Sequence, residues 1–414
     1  MTILIPEMMR RNVLAAIRSL GRQGHRITLA AAARAGSATP STFSRTIARL
    51  ARSRYVSDVR TIRSVYEDID AYVEDIVQLV KTGQYDVVIP FDHVECGAVS
   101  YGKERIEQYA GVVASDLDHF MTFHNKLTAI RLAESLGVPV PETHCPQSGE
   151  ELEELAATIA YPVVVKARIG CGVRRGIRYA RDREELLTKY AEVTASPSYE
   201  FLDDFSRPLI QEYIPGQIHD VATMCSHGTL RGALTQLRAI TYPLTGGVGA
   251  VNVTTREPEM LEMARRLLET AGWHGPALVE FKLDSRDNTY KLLEVNPKFW
   301  GTTDLSIKAG IDFPQMACEI ARDGDTKPRF DYRVGLTYRW ATGYEILCVT
   351  QAPDRLKALR EYIGRFFRGN TVYDFSPTDP MPDIMGMLVG VMNKVSGKSL
   401  WTIGEGPGAA SFNA

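Results

Sequence analysis

Residues Ala277 to Gly301, ALVEFKLDSRDNTYKLLEVNPKFWG, restrict what this chain can become more than any other stretch. Apolar and polar residues alternate in Val279-Glu280-Phe281-Lys282-Leu283 and again in Leu292-Leu293-Glu294-Val295-Asn296, the period of half-buried strands. Ser285-Arg286-Asp287-Asn288 between them is turn chemistry. A hairpin closing symmetrically about Asp287 sets Glu280 opposite Glu294. Like charges facing each other across a ladder destabilise it, so the pair makes physical sense mainly with a cation between them. Asn296, two residues on and on the same strand face, adds a third oxygen. Two carboxylates and an amide suit a hard Mg2+ that completes its octahedron with phosphate oxygens, with Mn2+ as the near alternative. The implied partner is a nucleoside triphosphate. Taken alone, two Glu residues on an exposed hairpin are more simply read as solvated.

The rest of the chain is organised around that hairpin. Ile3-Leu4-Ile5 reads as a strand, Arg11 to Leu20 as an amphipathic helix ended by Gly21 and Gly24, and Arg26 to Ala31 as the next strand. A helix at Asp68 to Lys81 leads into Tyr85-Asp86-Val87-Val88-Ile89-Pro90, a short buried strand of the parallel kind. This is a doubly wound α/β pattern, but no G-x-G-x-x-G follows the first strand, so no dinucleotide is assigned. Asp92-His93-Val94-Glu95 follows a strand end, where open α/β sheets bind ligands, and reads equally as a helix N-cap with solvated neighbours. Lys126 opens a helix that runs to Leu136 and is broken by Gly137-Val138-Pro139. Tyr161 to Ala167 is a strong β run ending in Lys166, and an ammonium at the end of so apolar a strand is poorly explained by simple exposure. Arg168 to Gly176 follows, with Gly170, Gly172 and Gly176 able to turn backbone N–H groups toward an anion. The loop also carries three arginines, with Arg178 just beyond, which either clamp an anion or are solvated, while Cys171 reads as a small spacer. Leu209 to Gly216 is a strand ending in a turn.

Glu294-Val295-Asn296-Pro297-Lys298 resembles the E-x-N-P-R signature of the ATP-grasp superfamily, and the preceding strand matches that family's other metal-binding Glu. The resemblance covers about residues 115 to 325 with the motifs in order, and is nearest to the carbamoyl-phosphate-synthetase-like, predicted carboligase branch. It implies a multidomain α/β and α+β architecture: a Rossmann-like preATP-grasp domain over 1–115, an ATP-grasp domain over 116–325, and a C-terminal extension over 326–414. The ATP-grasp part would be two α+β subdomains, a mobile lid at about 140–210 and a central metal-binding sheet at about 211–325. It also implies ATP and Mg2+ as cofactors, with Glu280, Glu294 and Asn296 on the metal. Lys126 and Lys166 would reach the phosphates, Gly170 and Gly172 would lie in the lid loop, and Glu212, Tyr213 and Ile214 would meet the adenine edge. His219 and Asp220 compete for the ribose. Arg238 and Lys298 would face the transferred phosphate or the acceptor. Lys298 stands where the family usually has Arg, and supplies charge without the planar two-pronged contact.

Composition admits this reading and excludes others. A chain of 414 residues with 44% hydrophobic and 24% charged residues is an ordinary globular protein of two or three domains. A formal charge of −2 gives no global field for nucleic acid or an anionic membrane. No apolar run is long enough to span a bilayer, and the start MTILIPEMMRR places its Arg pair opposite to a secretory signal. Six cysteines, at 96, 145, 171, 225, 318 and 348, show no metal spacing and fit a reduced, cytoplasmic protein. The expected activity is an ATP-dependent carboxylate-amine ligase acting on small molecules, with amino acids or small peptides as candidates and a homodimer as the default assembly. The alternatives are a bicarbonate-phosphorylating enzyme and a nucleotide-binding scaffold without chemistry. For 326–414 the pattern predicts a strand at Val334 to Trp340, a basic helix at Ala352 to Phe367 and another helix at Pro382 to Lys398, with Met381, Met385, Met387 and Met392 as packing residues. Residues 402–414, rich in Gly, Ser and Ala, are expected to be disordered.

Overall fold

Strands made of unbroken Val, Ile, Leu and Ala need cover on both faces, and the amino-terminal segment meets that need with a wholly parallel sheet. β1 (Thr2–Pro6), β2 (Arg26–Ala32), β3 (Val56–Ile62), β4 (Val87–Val88) and β5 (Gly111–Val112) lie in the order β3-β2-β1-β4-β5. This is the doubly wound pattern expected from the sequence. The computed structural model describes residues 1–6, 11–32, 52–170, 176–199, 201–242, 247–341 and 343–395. The calls made above for Cys171, Gly172 and residues 402–414 lie outside them.

The helices of this part are α1 (Arg11–Arg22), α2 (Ile69–Gly83), α3 (His93–Tyr101) and α4 (Lys103–Ile106). The start of α2 is set locally, because the Asp68 carboxylate accepts the Ala71 N–H and satisfies an orphan donor of the first turn. Two more helices follow, α5 (Leu117–His124) and α6 (Lys126–Ser135). Between them Asn125 leaves helical geometry and its side chain accepts from the Leu127 N–H, which puts Lys126 on the first turn of α6. A four-stranded antiparallel sheet comes next, from β6 (Thr143–His144), β7 (Val163–Lys166), β8 (Ile177–Ala180) and β9 (Leu209–Glu212), ordered β6-β9-β7-β8. Helices α7 (Gly149–Thr158) and α8 (Arg183–Thr194) cover it over a small core of Val163, Val165, Ala180, Leu186 and Ile210.

The central sheet has seven strands: β10 (Gly216–Ser226), β11 (Thr229–Tyr242), β12 (Val248–Thr255), β13 (Gly275–Asp284), β14 (Tyr290–Asn296), β15 (Thr337–Arg339) and β16 (Thr371–Tyr373). Their order is β14-β13-β10-β11-β12-β15-β16. All neighbours are antiparallel except β15 and β16. Alternation sorts the two faces. Val221, Val279 and Phe281 pack with α5, α6 and α9 (Pro258–Thr270), whereas Ala222, Leu234 and Leu278 share a core with the amino-terminal sheet. That second core also takes in α10 (Thr303–Ala309) and α11 (Phe313–Asp323). Glu280 and Asp220 belong to this second face, beside the amino-terminal segment.

The described part of 326–414 joins the central sheet. The predicted strand shortens to β15, which pairs with the open edge of β12, and β16 pairs with β15, so this segment completes the central sheet. An additional helix, α12 (Tyr344–Gln351), precedes α13 (Arg355–Gly364), and a 3-10 turn at Arg365–Phe367 ends the basic helix expected there. The last helix is α14 (Met381–Val395). Arg18 of α1 donates to Asp379 at 3.0 Å and Asp383 at 2.7 Å, which ties the two ends of the chain together through a buried pair. Among the described residues no helix is long and apolar enough to cross a membrane.

Candidate functional site

The β13–β14 register pairs Glu280 with Glu294 and Leu278 with Asn296, with a bulge between Glu280 and Phe281. Opposed residues share a face, so the two carboxylates and the amide converge. The Asn296 Nδ2 lies 2.9 Å from Glu280 Oε1 and 3.1 Å from Glu294 Oε1. On the other side of β13, Asp220 of β10 stands opposite Glu280. Arg238 of β11 reaches across both, donating to Asp220 at 2.6 and 3.0 Å and lying 2.7 Å from Glu280, while its Nη1 donates to the Gly247 carbonyl. Burial pushes the Glu280 carboxyl above the ordinary range, Arg238 pulls it down, and Glu294 and Asp220 push it up again. Burial also raises Glu294, but Lys126, Lys166 and the Asn296 hydrogen bond outweigh it and hold that group low. The two carboxylates therefore differ in proton affinity, Glu280 holding its proton more tightly than Glu294.

Two lysines approach from the other side. Lys126 Nζ lies 3.6 Å from Glu294 Oε2 and donates to the Gly170 carbonyl at 2.5 Å. Lys166, at the end of β7, donates to Gln211 Oε1 at 2.6 Å, and burial lowers it to about 8. Among the described residues no three His, Cys, Asp or Glu side chains form a metal cage of their own. Two carboxylates fit Mg2+, which ordinarily takes one or two protein carboxylates and fills its octahedron with water and phosphate oxygens; the Asn296 amide, whose Nδ2 here donates to both carboxylates, would add its oxygen by turning over. They do not fit a structural zinc.

The family described as "ATP-grasp in the biosynthetic pathway with Ter operon" matches residues 204–344, and "Carbamoyl-phosphate synthase L chain, ATP binding domain" matches residues 125–217. The chain belongs to the ATP-grasp superfamily. Within it the chain stands on the carbamoyl-phosphate-synthase-like branch. It is 27% identical over 230 residues to the carbamoyl phosphate synthase large chain, N-terminal section, of Methanopyrus kandleri, covering 51% of this chain and 36% of that one. It is 25% identical over 264 residues to pyruvate carboxylase of Bacillus subtilis, covering 61% and 23%. The chain thus spans about a third or less of the curated relatives it matches first. Among solved structures, the biotin carboxylase domain of Hydrogenobacter thermophilus 2-oxoglutarate carboxylase, in complex with MgADP, ADP and bicarbonate, has a TM-score of 0.64 at 17% identity, covering 81% of this chain and 73% of that one. The L-amino acid ligase of Bacillus licheniformis has a TM-score of 0.58 at 16% identity, covering 79% and 74%. These two likenesses are of fold.

The remaining sequence candidates of this ATP-grasp chain fall in several places. Gly170 has φ +102, and a Cβ there would meet Asp203 Oδ1 at 2.1 Å, so the loop entrance tolerates no side chain. Of the arginines, Arg168 pairs with Asp204, Arg178 pairs with Glu192 at 3.0 Å, and Arg174 and Arg175 lie outside the described residues. Glu212 ends β9 with its backbone N–H on the Glu142 carbonyl and its carboxylate on Arg286 at 2.6 Å. Tyr213 meets Tyr179 edge-on at 5.9 Å, and Ile214 is buried. His219 pairs with Phe281 on the ladder, so its ring lies on the opposite face from Glu280, edge-on to Tyr290 at 5.3 Å. Of the two ribose candidates only Asp220 is on the carboxylate face, and there it is fully buried and held by Arg238 and Gln236. Lys298 is also committed, donating to Asp92 Oδ1 at 2.8 Å.

That last contact brings in residues with no motif of their own. Asp92 and His93 sit at the start of α3, both buried, with His93 Nδ1 3.1 Å from Asp92 and Nε2 3.7 Å from Asp203. The one sequence signal was their position just after a parallel strand, where open sheets bind ligands.

Proposed function

We propose that the chain is an ATP-dependent carboxylate-amine ligase that uses Mg2+, makes an acylphosphate and releases ADP and phosphate. The observation that carries this reading is the Glu280–Glu294–Asn296 cluster meeting Lys126 and Lys166 on one face of the central sheet. A carboxylate is a poor electrophile and oxide a poor leaving group, so amide formation in water needs activation. An oxygen of the substrate carboxylate attacks the γ-phosphorus of ATP, ADP leaves, and the amine nitrogen then attacks the acyl carbon with loss of phosphate and a proton. Mg2+ on Glu280, Glu294 and Asn296 would neutralise charge on the β- and γ-oxygens. Lys126 and Lys166 bring further positive charge to the same place, held by the Gly170 carbonyl and Gln211 before any ligand arrives. Arg238 fixes the orientation of Glu280, and Asp92 does so for Lys298. The small antiparallel sheet, which carries Lys166 at the end of β7, is the cover that would keep water from the acylphosphate.

The test is ADP release with Mg-ATP against pooled amino acids, other carboxylic acids, amines and bicarbonate, with Glu294→Ala as control. Turnover that needs both a carboxylate and an amine and vanishes in the control is the expected result. A second reading, phosphorylation of bicarbonate, is favoured by the carbamoyl phosphate synthase and pyruvate carboxylase relatives. Bicarbonate alone sustaining ADP release would select it. Full turnover in Glu294→Ala would remove both.

A further inference from the structure

Of the fifteen large hydrophobic side chains exposed among the described residues, ten fall between Leu356 and Leu388. Scattered singly such residues need no explanation, but gathered in one stretch they mark a contact surface. Most sit on α13 with its 3-10 turn and on α14. A helix that meets only water turns its apolar stripe inward and its polar side out, and these two do the reverse.

Neither α13 nor the 3-10 turn buries a residue. Their inward side is held by polar contacts: Arg365 pairs with Glu345 at 3.0 Å and with Glu361 at 3.2 Å, and the Tyr362 hydroxyl donates to the Ala341 carbonyl at 3.1 Å. On that side a cavity of 480 Å3 separates α13 from the central sheet, lined by Ala358 on the helix and by Lys282 on the sheet. The outward side is apolar. Leu356, Leu359 and Ile363 recur at spacings of three and four, which makes one stripe. Phe366 is pinned against Tyr373 at 5.4 Å and Arg339 at 4.2 Å, and its neighbour Phe367 is left outside. Leu356 is 71% exposed and Phe367 85%, and neither they nor Leu359 and Ile363 pack against a hydrophobic core of the described residues. α14 repeats the plan, with Asp383 on its inward side bound to Arg18 at 2.7 Å and with Met381, Ile384 and Leu388, again three and four apart, exposed.

Charge decides what such a surface receives. Arg355, Lys357, Arg360 and Arg368 are exposed on the same segment and make no ion pair among the described residues. Its two acidic residues are already engaged: Asp354 caps α13 by accepting the Lys357 N–H at 2.9 Å, and Glu361 pairs with Arg365. Residues 354–368 therefore carry five basic against two acidic side chains, a local +3 that the chain's total of −2 conceals. A second copy suits this face poorly, because a two-fold contact sets the patch on itself and brings the four unpaired cations against their own equivalents. An apolar stripe accompanied by unpaired Arg and Lys is instead the build of a helix lying in a lipid headgroup layer, with its Leu, Ile and Phe side chains among the acyl chains and its cations on lipid phosphates.

We propose that the outward face of α13 and its 3-10 turn docks this chain on an anionic lipid surface, lying in the headgroup layer without crossing it. The inference goes beyond the ligase reading and is read by binding alone: a chain that docks on vesicles and never releases ADP leaves it standing.

The experiment is flotation of the full chain with vesicles of phosphatidylcholine alone and of phosphatidylcholine mixed in equal parts with phosphatidylglycerol. The chain should float with the mixed vesicles and stay behind with the neutral ones, and added salt should release it. Arg355→Gln, Lys357→Gln, Arg360→Gln and Arg368→Gln combined should weaken binding to mixed vesicles on the order of a hundredfold. Leu356→Ser with Phe367→Ser should weaken it by about tenfold or more and keep the salt dependence, since the cations remain. Both variants should melt with wild type, because the altered side chains touch no core. Equal binding to the two kinds of vesicle, binding to neither, or mixed-vesicle binding unchanged in both variants overturns the proposal. A dimer in lipid-free solution that Leu356→Ser with Phe367→Ser dissociates also overturns it, and assigns the face to a second copy.

Discussion

The central sheet carries two buried clusters of charge, and they are built on opposite plans. At its β15 end, Glu345 accepts two hydrogen bonds from Arg339 at 2.7 and 3.1 Å and a third interaction from Arg365 at 3.0 Å. The Arg339 guanidinium packs against the Tyr362, Phe366 and Tyr373 rings at 5.0, 4.2 and 5.6 Å. Those side chains are 0% and 1% exposed for Arg339 and Glu345. At the β13–β14 end the carboxylates are 14% and 17% exposed, they face one another, and one arginine is shared between Glu280 and Asp220. A cluster that closes on itself holds structure together. One that keeps an opening, with two carboxylates facing each other across it, is arranged to receive a cation and what it carries.

Mutation should separate the two plans. The largest effect is expected at the open cluster: Glu280→Gln should lower the rate of ADP release on the order of 10³-fold, since the metal's share of transition-state stabilisation is several kcal/mol. The same variant should melt no lower than wild type, because it removes one of two facing carboxylates. A melting point well below wild type would show that the pair is structural after all. At the closed cluster the sign reverses. Arg339→Ala strands the buried Glu345 and should cost about 3–5 kcal/mol in denaturant unfolding. Mg-ADP affinity, measured where the variant is still folded, should stay within a few-fold of wild type. Near-native stability in Arg339→Ala would erase the distinction drawn here.

The smallest effect concerns the junction beside the open cluster. His124 donates from Nε2 to the Leu202 carbonyl at 2.8 Å, and burial, reinforced by nearby His93, lowers it to about 3. Its folded value lies below the unfolded value near 6.5, so the neutral ring is favoured by the fold and the unfolded chain takes up the proton first. The stabilisation is complete above that unfolded value and declines as pH falls toward about 3. Unfolding in urea at pH 8 and pH 5 should differ by about 2 kcal/mol from this residue alone. His124→Gln should lose that share of the pH dependence, and an unchanged profile would mean that His124 titrates freely.

The sequence by itself determined what depends on neighbours along the chain. Strand period and turn chemistry showed the hairpin and the shared face of Glu280, Glu294 and Asn296, but the turn itself pairs Leu283 with Tyr290 and Phe281 with Leu292, one residue off closure about Asp287, and the bulge next to Glu280 is what brings Glu294 opposite it. Asn125 and the apolar run before Lys166 likewise positioned the two lysines locally. The parallel amino-terminal sheet was legible in its unbroken apolar strands. Tertiary structure decided the rest. Asp92 meets Lys298 across 206 positions, and Arg18 meets Asp379 across 361, distances at which no period or cap carries information. His219 and Asp220 are adjacent in sequence, and only the pairing of β10 with β13 tells which of them faces the carboxylates. The wall that α12 and α13 raise opposite Lys282 exists because β15 found the free edge of β12. Local rules act over a turn or a hairpin, whereas a pocket is made by whichever distant surfaces exclude water together.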